Sequence, residues 1–558
     1  MDIDGRFDSI ITSCKNVFYN RADFLAGRTQ VSISPRKITL IITTACNLKC
    51  VICPFHNANV SRLENIDMDI VVIKKLESYL RKADTVEISG QGEPLVSPAL
   101  MNCLEILSSG DHSFTNHAGM ALITNGTLLD EKKTQALLAS PLSLHLSVSL
   151  DAANKETYYK IRGANFNQVV ENIRNFVDER DRQNRETAKI WINMTLMGMN
   201  LSEAEEVVKL AHDLGVDGVS FGKLNSDREW ETTRGDWVFK YHEQCLENIP
   251  NNIVAQVINR VKVRAGELGV PVYFDEIKDF GGISVEPCSV ERKAGDTISV
   301  PITRPVIKED HRIPLCENPW SWMVVDLDGK VRYCCLSDET IGNLRKQSCE
   351  QIWNSKAIQD VRSMLYEGRL PPACRRSPCK YAAMFKDKPD PEAIQILIPN
   401  PFKAEYKSHI ESLEPVGSNE NERIRLLARI RNTGSYSWKK EKTTDRVLLG
   451  AKLFEKNLIQ PVREYRSELP NEIHPGDCAE IGLELDFAGL GPGTYVAVVD
   501  MIYGSKFWFM DNMNAVWVLM LVKEKDGSVQ LIRSAEIGPQ HHPSQEEASV
   551  KCRWGFWK

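Results

Sequence analysis

Three thiols fall within eight residues in the stretch CNLKCVICP: Cys46, Cys50 and Cys53. A structural zinc site takes four protein ligands and a disulfide takes two, so three thiols call for a different partner. Iron–sulfur clusters are held by thiolates, four for a cubane; supplying three leaves one iron open for a small molecule to chelate. His56 lies three residues beyond Cys53, so a Cys3His zinc site is the competing reading. A second group, Cys316, Cys334, Cys335, Cys349, Cys374 and Cys379, follows later in the chain. Cys14, Cys103, Cys245, Cys288, Cys478 and Cys552 are isolated, and an isolated cysteine usually packs as a small hydrophobe.

Such groups need a scaffold to converge. The β-branched run RKITLIITT at 36–44 ends just before the first thiol. Helical periodicity over 67–82, 97–109, 130–139, 166–182 and 202–214 alternates with short apolar strands at 84–89, 118–125, 142–151, 189–198 and 215–224. This alternation predicts an α/β fold with a parallel sheet and outer helices. Six units are too few for a closed eight-fold barrel, so the expectation is a partial (β/α)6 TIM barrel. In such folds chemistry sits at the C-terminal ends of strands. Those ends carry the three cysteines, then SGQGEP, then TNG with Asn125, then SLD with Ser149 and Asp151.

The Cys-x3-Cys-x2-Cys spacing after the first strand, in register with GQGEP and SLD, resembles the radical S-adenosylmethionine (SAM) superfamily. The resemblance implies a [4Fe–4S] cluster on Cys46, Cys50 and Cys53 whose open iron binds the amino and carboxylate groups of SAM. One electron, from a donor such as flavodoxin or ferredoxin, would then yield methionine and a 5′-deoxyadenosyl radical that abstracts hydrogen from substrate. It also implies cofactor-binding roles for Gly90, Gln91, Gly92 and Glu93 near the methionine amino group, with Glu93 on the ammonium. Asn125 would join them, Ser149 and Asp151 would lie near the ribose, and Arg162 near the carboxylate. No catalytic residue beyond these is assigned.

In the second cysteine group, VVDLDGKVRYC reads as a hairpin with Asp328-Gly329 at its turn, followed by helical sequence. Residues 316–388 resemble the SPASM/Twitch extension of radical SAM enzymes, including Gly-Asn-Leu and Ile-Trp-Asn-Ser. The full pattern has seven cysteines and two auxiliary clusters, and its late CxxCxxxxxC run is missing here. The resemblance therefore implies one auxiliary [4Fe–4S] cluster on Cys316, Cys334, Cys374 and Cys379, with zinc as the alternative. Cys335 rivals Cys334, since neighbours on a strand face opposite ways. Cys349, at a helix start, reads as packing.

After Lys388 the helical alternation stops, and short strands separated by Asn-Thr-Gly, Pro-Gly-Asp and Gly-Pro-Gly predict an all-β sandwich over 395–525. Its sequence resembles an immunoglobulin-like module of polysaccharide-assembly proteins, which implies a carbohydrate or nucleotide-linked sugar as substrate. Trp438, Trp508 and Trp517 either stack on sugar or pack between the sheets. The remaining expectations are a helical preamble at 1–35, a barrel at 36–230, a connecting segment at 231–315 that shapes the substrate pocket, and a polar tail at 526–558. Cys245 and Cys288, in the connecting segment, are candidate hydrogen-atom donors. A ribosomal peptide is the second substrate class, and a non-catalytic iron–sulfur scaffold the third reading.

A net charge of −6 over 558 residues provides no basic footprint for nucleic acid. No stretch is long and apolar enough to insert in a membrane, and MDIDGRFDSI is not a signal peptide, so a cytoplasmic protein is expected.

Overall fold

A computed structural model describes residues 3–31, 33–57, 64–108, 119–140, 142–226, 228–274, 312–314, 316–377, 379, 397–399, 406–416, 422–440, 446–455, 461–503, 507–508 and 514–538. Six strands follow one another in chain order: β1 (Lys37–Leu40), β2 (Thr85–Ile88), β3 (Gly119–Thr124), β4 (Leu144–Ser149), β5 (Ala188–Leu196) and β6 (Gly218–Lys223). All neighbours among them pair in parallel. Helices occupy the crossovers: α2 (Ile70–Leu80), α3 (Ala99–Ser108), α4 (Glu131–Ala139), α5 (Lys155–Arg162), α6 (Phe166–Arg182) and α7 (Ala204–Leu214). The alternation read from sequence is present; α5 is an addition, nucleated by Asn154, whose side chain accepts from Glu156 and Thr157 N–H, and stopped by Gly163 at φ +72°.

The sheet extends beyond these six strands on both sides. Val272–Phe274, reached through the helix Asn251–Leu268, pairs with β6. On the other side Trp322–Val325 lies parallel to β1, Lys37 opposite Trp322, and is followed antiparallel by Lys330–Arg332 and Gly342–Asn343. The result is an open ten-stranded mixed sheet and not a closed barrel. An uncovered β1 would present unpaired backbone groups at its edge; the apolar strand Trp-Met-Val-Val satisfies them. The cysteine-bearing hairpin is therefore part of the main core, where Met323 and Val325 are buried together with Ile38 and Leu40. Gly329, at φ +81°, makes the hairpin turn.

The C-terminal part is all-β. Ser408–Pro415, Arg423–Asn432 and Cys478–Asp486 form one sheet, and the other strands between Val447 and Ile537 form a second, six-stranded one. Their facing sides share a core that includes Leu426, Leu483, Leu449, Tyr495 and Leu519. Val529–Ile537 belongs to this second sheet, so the ordered β-structure passes the boundary expected at 525; residues 539–558 lie outside the described residues. Trp438 is 0% exposed in this core, and the Trp517 indole N–H donates to Ile410 O at 3.0 Å, so these two tryptophans pack between sheets.

The N-terminal segment forms one helix, α1 (Ile3–Leu25), and it links the two parts. Phe7, Ile10 and Phe18 cover the outer face of the six-stranded sheet at Val496, Val518 and Met520. At its other end Asn20 Nδ2 donates to Trp320 O at 2.6 Å, Phe24 packs edge-on against Trp320, and Arg21 pairs with Glu317 at 3.2 Å. Among the described residues no helix is long and apolar enough to cross a membrane.

Candidate active site at the strand ends

The loop after β1 carries the first three thiols. Cys50 is buried, and Cys46 and Cys53 are half-buried. Each sulfur faces a donor: Leu48 N–H to Cys46 Sγ at 3.5 Å, Phe55 N–H to Cys53 Sγ at 3.4 Å, and Arg162 Nη1 to Cys50 Sγ at 3.8 Å. Burial pushes the Cys46 thiol up to about 12, and the negative charge of Cys50, Glu93 and Cys53 adds to that. Burial also raises Cys50, against the pull of Arg162. Three sulfurs each met by a hydrogen-bond donor, two of them costly to ionise when bare, suit thiolates stabilised by bound iron. Among the described residues no three His, Cys, Asp or Glu side chains gather round a single-ion position. His56 Nε2 sits 2.8 Å from Gln91 O, so it braces the glycine loop and does not join the thiols as a zinc ligand.

That glycine loop, Gly90–Glu93, docks directly on the cysteine loop. A Cβ on Gly92 would lie 2.4 Å from Ala45 O and 2.7 Å from Thr43 O, so only glycine allows the approach. Glu93 N–H then donates to Ala45 O at 2.8 Å. The Glu93 side chain, 3% exposed, turns inward. Its Oε1 accepts from Thr124 Oγ1 at 2.6 Å and Leu95 N–H at 3.0 Å, and its Oε2 from Asn125 N–H at 2.7 Å. Burial raises its pKa while those three donors and Arg162 lower it. With three of about four acceptor positions taken, Glu93 principally staples the end of β2 to the end of β3. This differs from a ligand-facing Glu93, and the cause is tertiary: β3 brings two donors to it.

Asn125 is engaged in a ring of hydrogen bonds. Its Nδ2 donates to Asn47 Oδ1 at 2.9 Å, and its Oδ1 accepts from Thr127 N–H and Oγ1, while Asn47 Nδ2 donates to Thr127 Oγ1 at 2.7 Å. Asn47, inside the cysteine motif, thus ties the metal loop to the end of β3; reading the motif for its thiols alone overlooks it. Asp151 is fully buried, and its carboxylate accepts from Arg162 Nε at 2.6 Å and Thr195 N–H at 2.8 Å. It therefore anchors Arg162 to the end of β5. Ser149, half-buried at the end of β4, pairs with Asn193 of β5. Arg162 spans Asp151 and Cys50, and the carboxylate and the thiol both raise its pKa against its burial.

The expected connecting segment makes contacts that sequence reading did not anticipate. A two-stranded hairpin, Glu231–Arg234 with Trp237–Lys240, lies against the cysteine loop. Trp230 Nε1 donates to Val51 O at 2.9 Å. Arg234 donates to Tyr159 O, Lys160 O and Lys49 O. Cys245 is 0% exposed, packed among Val51, Phe239 and Tyr241; Cys288 lies outside the described residues.

The second thiol set assembles beside the hairpin. Cys334, Cys374 and Cys379 each act electrostatically on Cys316, and burial raises Cys316 to about 12. Cys334 Sγ accepts from Leu336 N–H at 3.4 Å and Asn318 Nδ2 at 3.8 Å, and Tyr333 OH lies 3.8 Å from Cys374 Sγ. Cys335 is exposed and hydrogen-bonded to Cys334, with Lys37 and Glu87 nearby, whereas Cys334 acts electrostatically on both Cys316 and Cys374 and so lies with the other three. Cys349 is buried with its thiol on Lys75 O at 3.2 Å, a packing position. Trp353 and Asn354 bond the backbone of Ile33 and Val31, holding the chain that leads into β1.

This is the architecture of an α/β protein with two thiol sites on one sheet. Residues 40–222 match the radical SAM superfamily, and residues 316–380 match SPASM, an iron–sulfur cluster-binding domain; the chain carries both domains. These domains bring a [4Fe–4S] cluster that binds SAM, SAM itself and auxiliary iron–sulfur chemistry.

Among curated proteins the chain is 23% identical over 340 residues to the antilisterial bacteriocin subtilosin biosynthesis protein AlbA of Bacillus subtilis, covering 59% of this chain and 61% of AlbA. It is 29% identical to the AdoMet-dependent heme synthase of Methanosarcina barkeri, covering 33% of this chain and 48% of that protein. The chain thus spans about three fifths or less of these relatives. Among solved structures, Streptococcus suis SuiB bound to S-adenosylmethionine aligns at a TM-score of 0.42 and 15% identity, covering 65% of this chain and 76% of SuiB.

Proposed function

We propose that this protein is a two-cluster radical SAM enzyme acting on a peptide. The observation that carries the enzyme reading is the convergence, on adjacent strand ends, of three donor-matched thiols with the glycine, Asn125 and Asp151–Arg162 elements. When bound, the open-iron cluster and SAM supply reductive SAM cleavage and hydrogen abstraction, chemistry that belongs to the cofactors.

The chain's own residues hold and orient. Cys46, Cys50 and Cys53 ligate the first cluster, and Cys316, Cys334, Cys374 and Cys379 ligate one auxiliary [4Fe–4S] cluster. Gly90, Gln91 and Gly92 offer backbone to SAM, with Ser149 and Arg162 lining the same side. Glu93, Asn125 and Asp151 fix those groups in place through buried hydrogen bonds. Flavodoxin or ferredoxin is the electron donor of fitting potential class.

The peptide class rests on similarity to a bacteriocin biosynthesis protein. The carbohydrate reading drew only on the sandwich; there Trp438 and Trp517 pack between the sheets, and Trp508 is half-buried with Lys452 4.6 Å over its ring. The test is isotope transfer. With SAM and dithionite, the cluster-loaded protein should form 5′-deoxyadenosine and take deuterium from a labelled precursor peptide encoded beside its gene. Transfer from a nucleotide-linked sugar instead would restore the carbohydrate reading. Absence of 5′-deoxyadenosine with both clusters loaded would leave a non-catalytic scaffold.

A further inference from the structure

The hairpin at 231–240 lies beyond the matched radical SAM domain, yet it is bonded directly to the cysteine loop. Arg234 reaches from its first strand to three backbone carbonyls, two at the C-terminal end of α5 and one, Lys49 O, within the thiol motif itself. The Gly163 cap of α5 leaves room for it: a Cβ there would lie 2.8–2.9 Å from the Arg234 guanidinium. A helix C-terminus offers unpaired carbonyls and a negative dipole end, which a guanidinium fork complements. Val51 N–H donates to Ile161 O at 2.9 Å, so α5 and the cysteine loop are also bonded to each other between the Arg234 contacts. Trp230 closes the same contact from the other side through Val51 O.

The charge balance differs between the two arginines here. Arg162 is neutralised by Asp151 at 2.6 Å. Arg234 has no carboxylate within salt-bridge distance among the described residues, and all its bonds go to carbonyls. Burial lowers its pKa, while Cys50 and Tyr159 raise it, which places its charge within electrostatic reach of Cys50.

We propose that Arg234 is a positioning residue for the three-thiol cluster, clamping the Cys46–Cys53 loop to α5 and holding an uncompensated positive charge beside Cys50. This rests on the assignment of those three thiols as cluster ligands. A fixed cation near a ligand sulfur favours the reduced, more negative cluster, so Arg234 raises the cluster's reduction potential. In an enzyme whose cluster must be reduced before SAM is cleaved, that widens the range of donors able to drive it.

The experiment is a redox titration of the full-length, cluster-loaded protein, followed by low-temperature electron paramagnetic resonance. The open-iron cluster is identified as the signal that changes on adding SAM. Arg234→Met should lower the ratio of reduced to oxidised open-iron cluster about tenfold at a fixed potential, a shift of ~59 mV to the negative for one electron. Arg234→Lys, which keeps the charge and loses the fork, should stay close to the parent protein. Trp230→Phe, which loses the Val51 contact and keeps all charge, should also leave the potential unmoved. Equal midpoints for the parent and Arg234→Met, or an equal shift in Arg234→Lys, would overturn the proposal. If Arg234→Met does not load its cluster, a loaded Arg234→Lys of parental midpoint supports the charge role, and one that fails to load overturns it. A parent protein with no SAM-sensitive signal would instead sink the ligand assignment.

Discussion

Replacing Glu93 separates two roles for one carboxylate. Glu93→Ala removes the acceptor from Thr124 Oγ1, Leu95 N–H and Asn125 N–H, all buried. An orphaned buried donor costs about 1–3 kcal/mol, so three cost at least ~3 kcal/mol. Relief of the carboxylate's own desolvation, the largest influence on its pKa, offsets part of this. A net loss of about 2 kcal/mol remains, a ~30-fold change in the folded population. Glu93→Gln should fall between the two, because its oxygen still serves Thr124 and Leu95 while its amide N–H2 meets the Asn125 N–H. The assay is denaturant unfolding of the cluster-loaded protein, with SAM affinity measured in parallel by equilibrium dialysis. Unchanged unfolding midpoints in both variants, with SAM affinity down about 10- to 150-fold, would refute the staple and assign Glu93 to the ligand's ammonium, as one charge-assisted hydrogen bond is worth about 1.5–3 kcal/mol.

Anaerobically reconstituted protein should hold about eight irons per chain, and Cys46, Cys50 and Cys53 changed together to Ala should leave about half, with no SAM cleavage, as read by iron assay and 5′-deoxyadenosine formation. Cys334→Ala should lose the auxiliary cluster's irons while Cys335→Ala keeps them, because only Cys334 faces Cys316, Cys374 and Cys379; iron analysis of the two variants decides. Deleting 389–558 uncovers Phe7, Ile10 and Phe18, so that shortened chain should aggregate on size exclusion. Phe18→Ala in the full chain should cost about 3–5 kcal/mol, seen as a lower thermal midpoint.

The cysteine triplet, the glycine loop and the strand–helix alternation are local patterns, and their chemistry and periodicity are carried by neighbouring residues. The hairpin around Asp328-Gly329 was legible for the same reason, as was the switch to short strands after Lys388. What lay beyond the sequence was pairing across long separations. Nothing in Trp-Met-Val-Val states that it covers the edge of Lys37–Leu40, since any apolar strand of that length could do so. Nor does the first helix declare its partner, although the nearly unbroken apolar run from Tyr495 to Tyr503 hints that something covers both faces of that strand. The roles of Glu93, Asp151 and Arg234 depended on which donors, carboxylates and carbonyls the fold brought within 3 Å or so. A carboxylate beside a glycine motif looks free to meet a ligand until a threonine and an asparagine from the next strand occupy it. Hydrogen bonds act over a few ångströms in space, and sequence separation places no bound on which groups meet there.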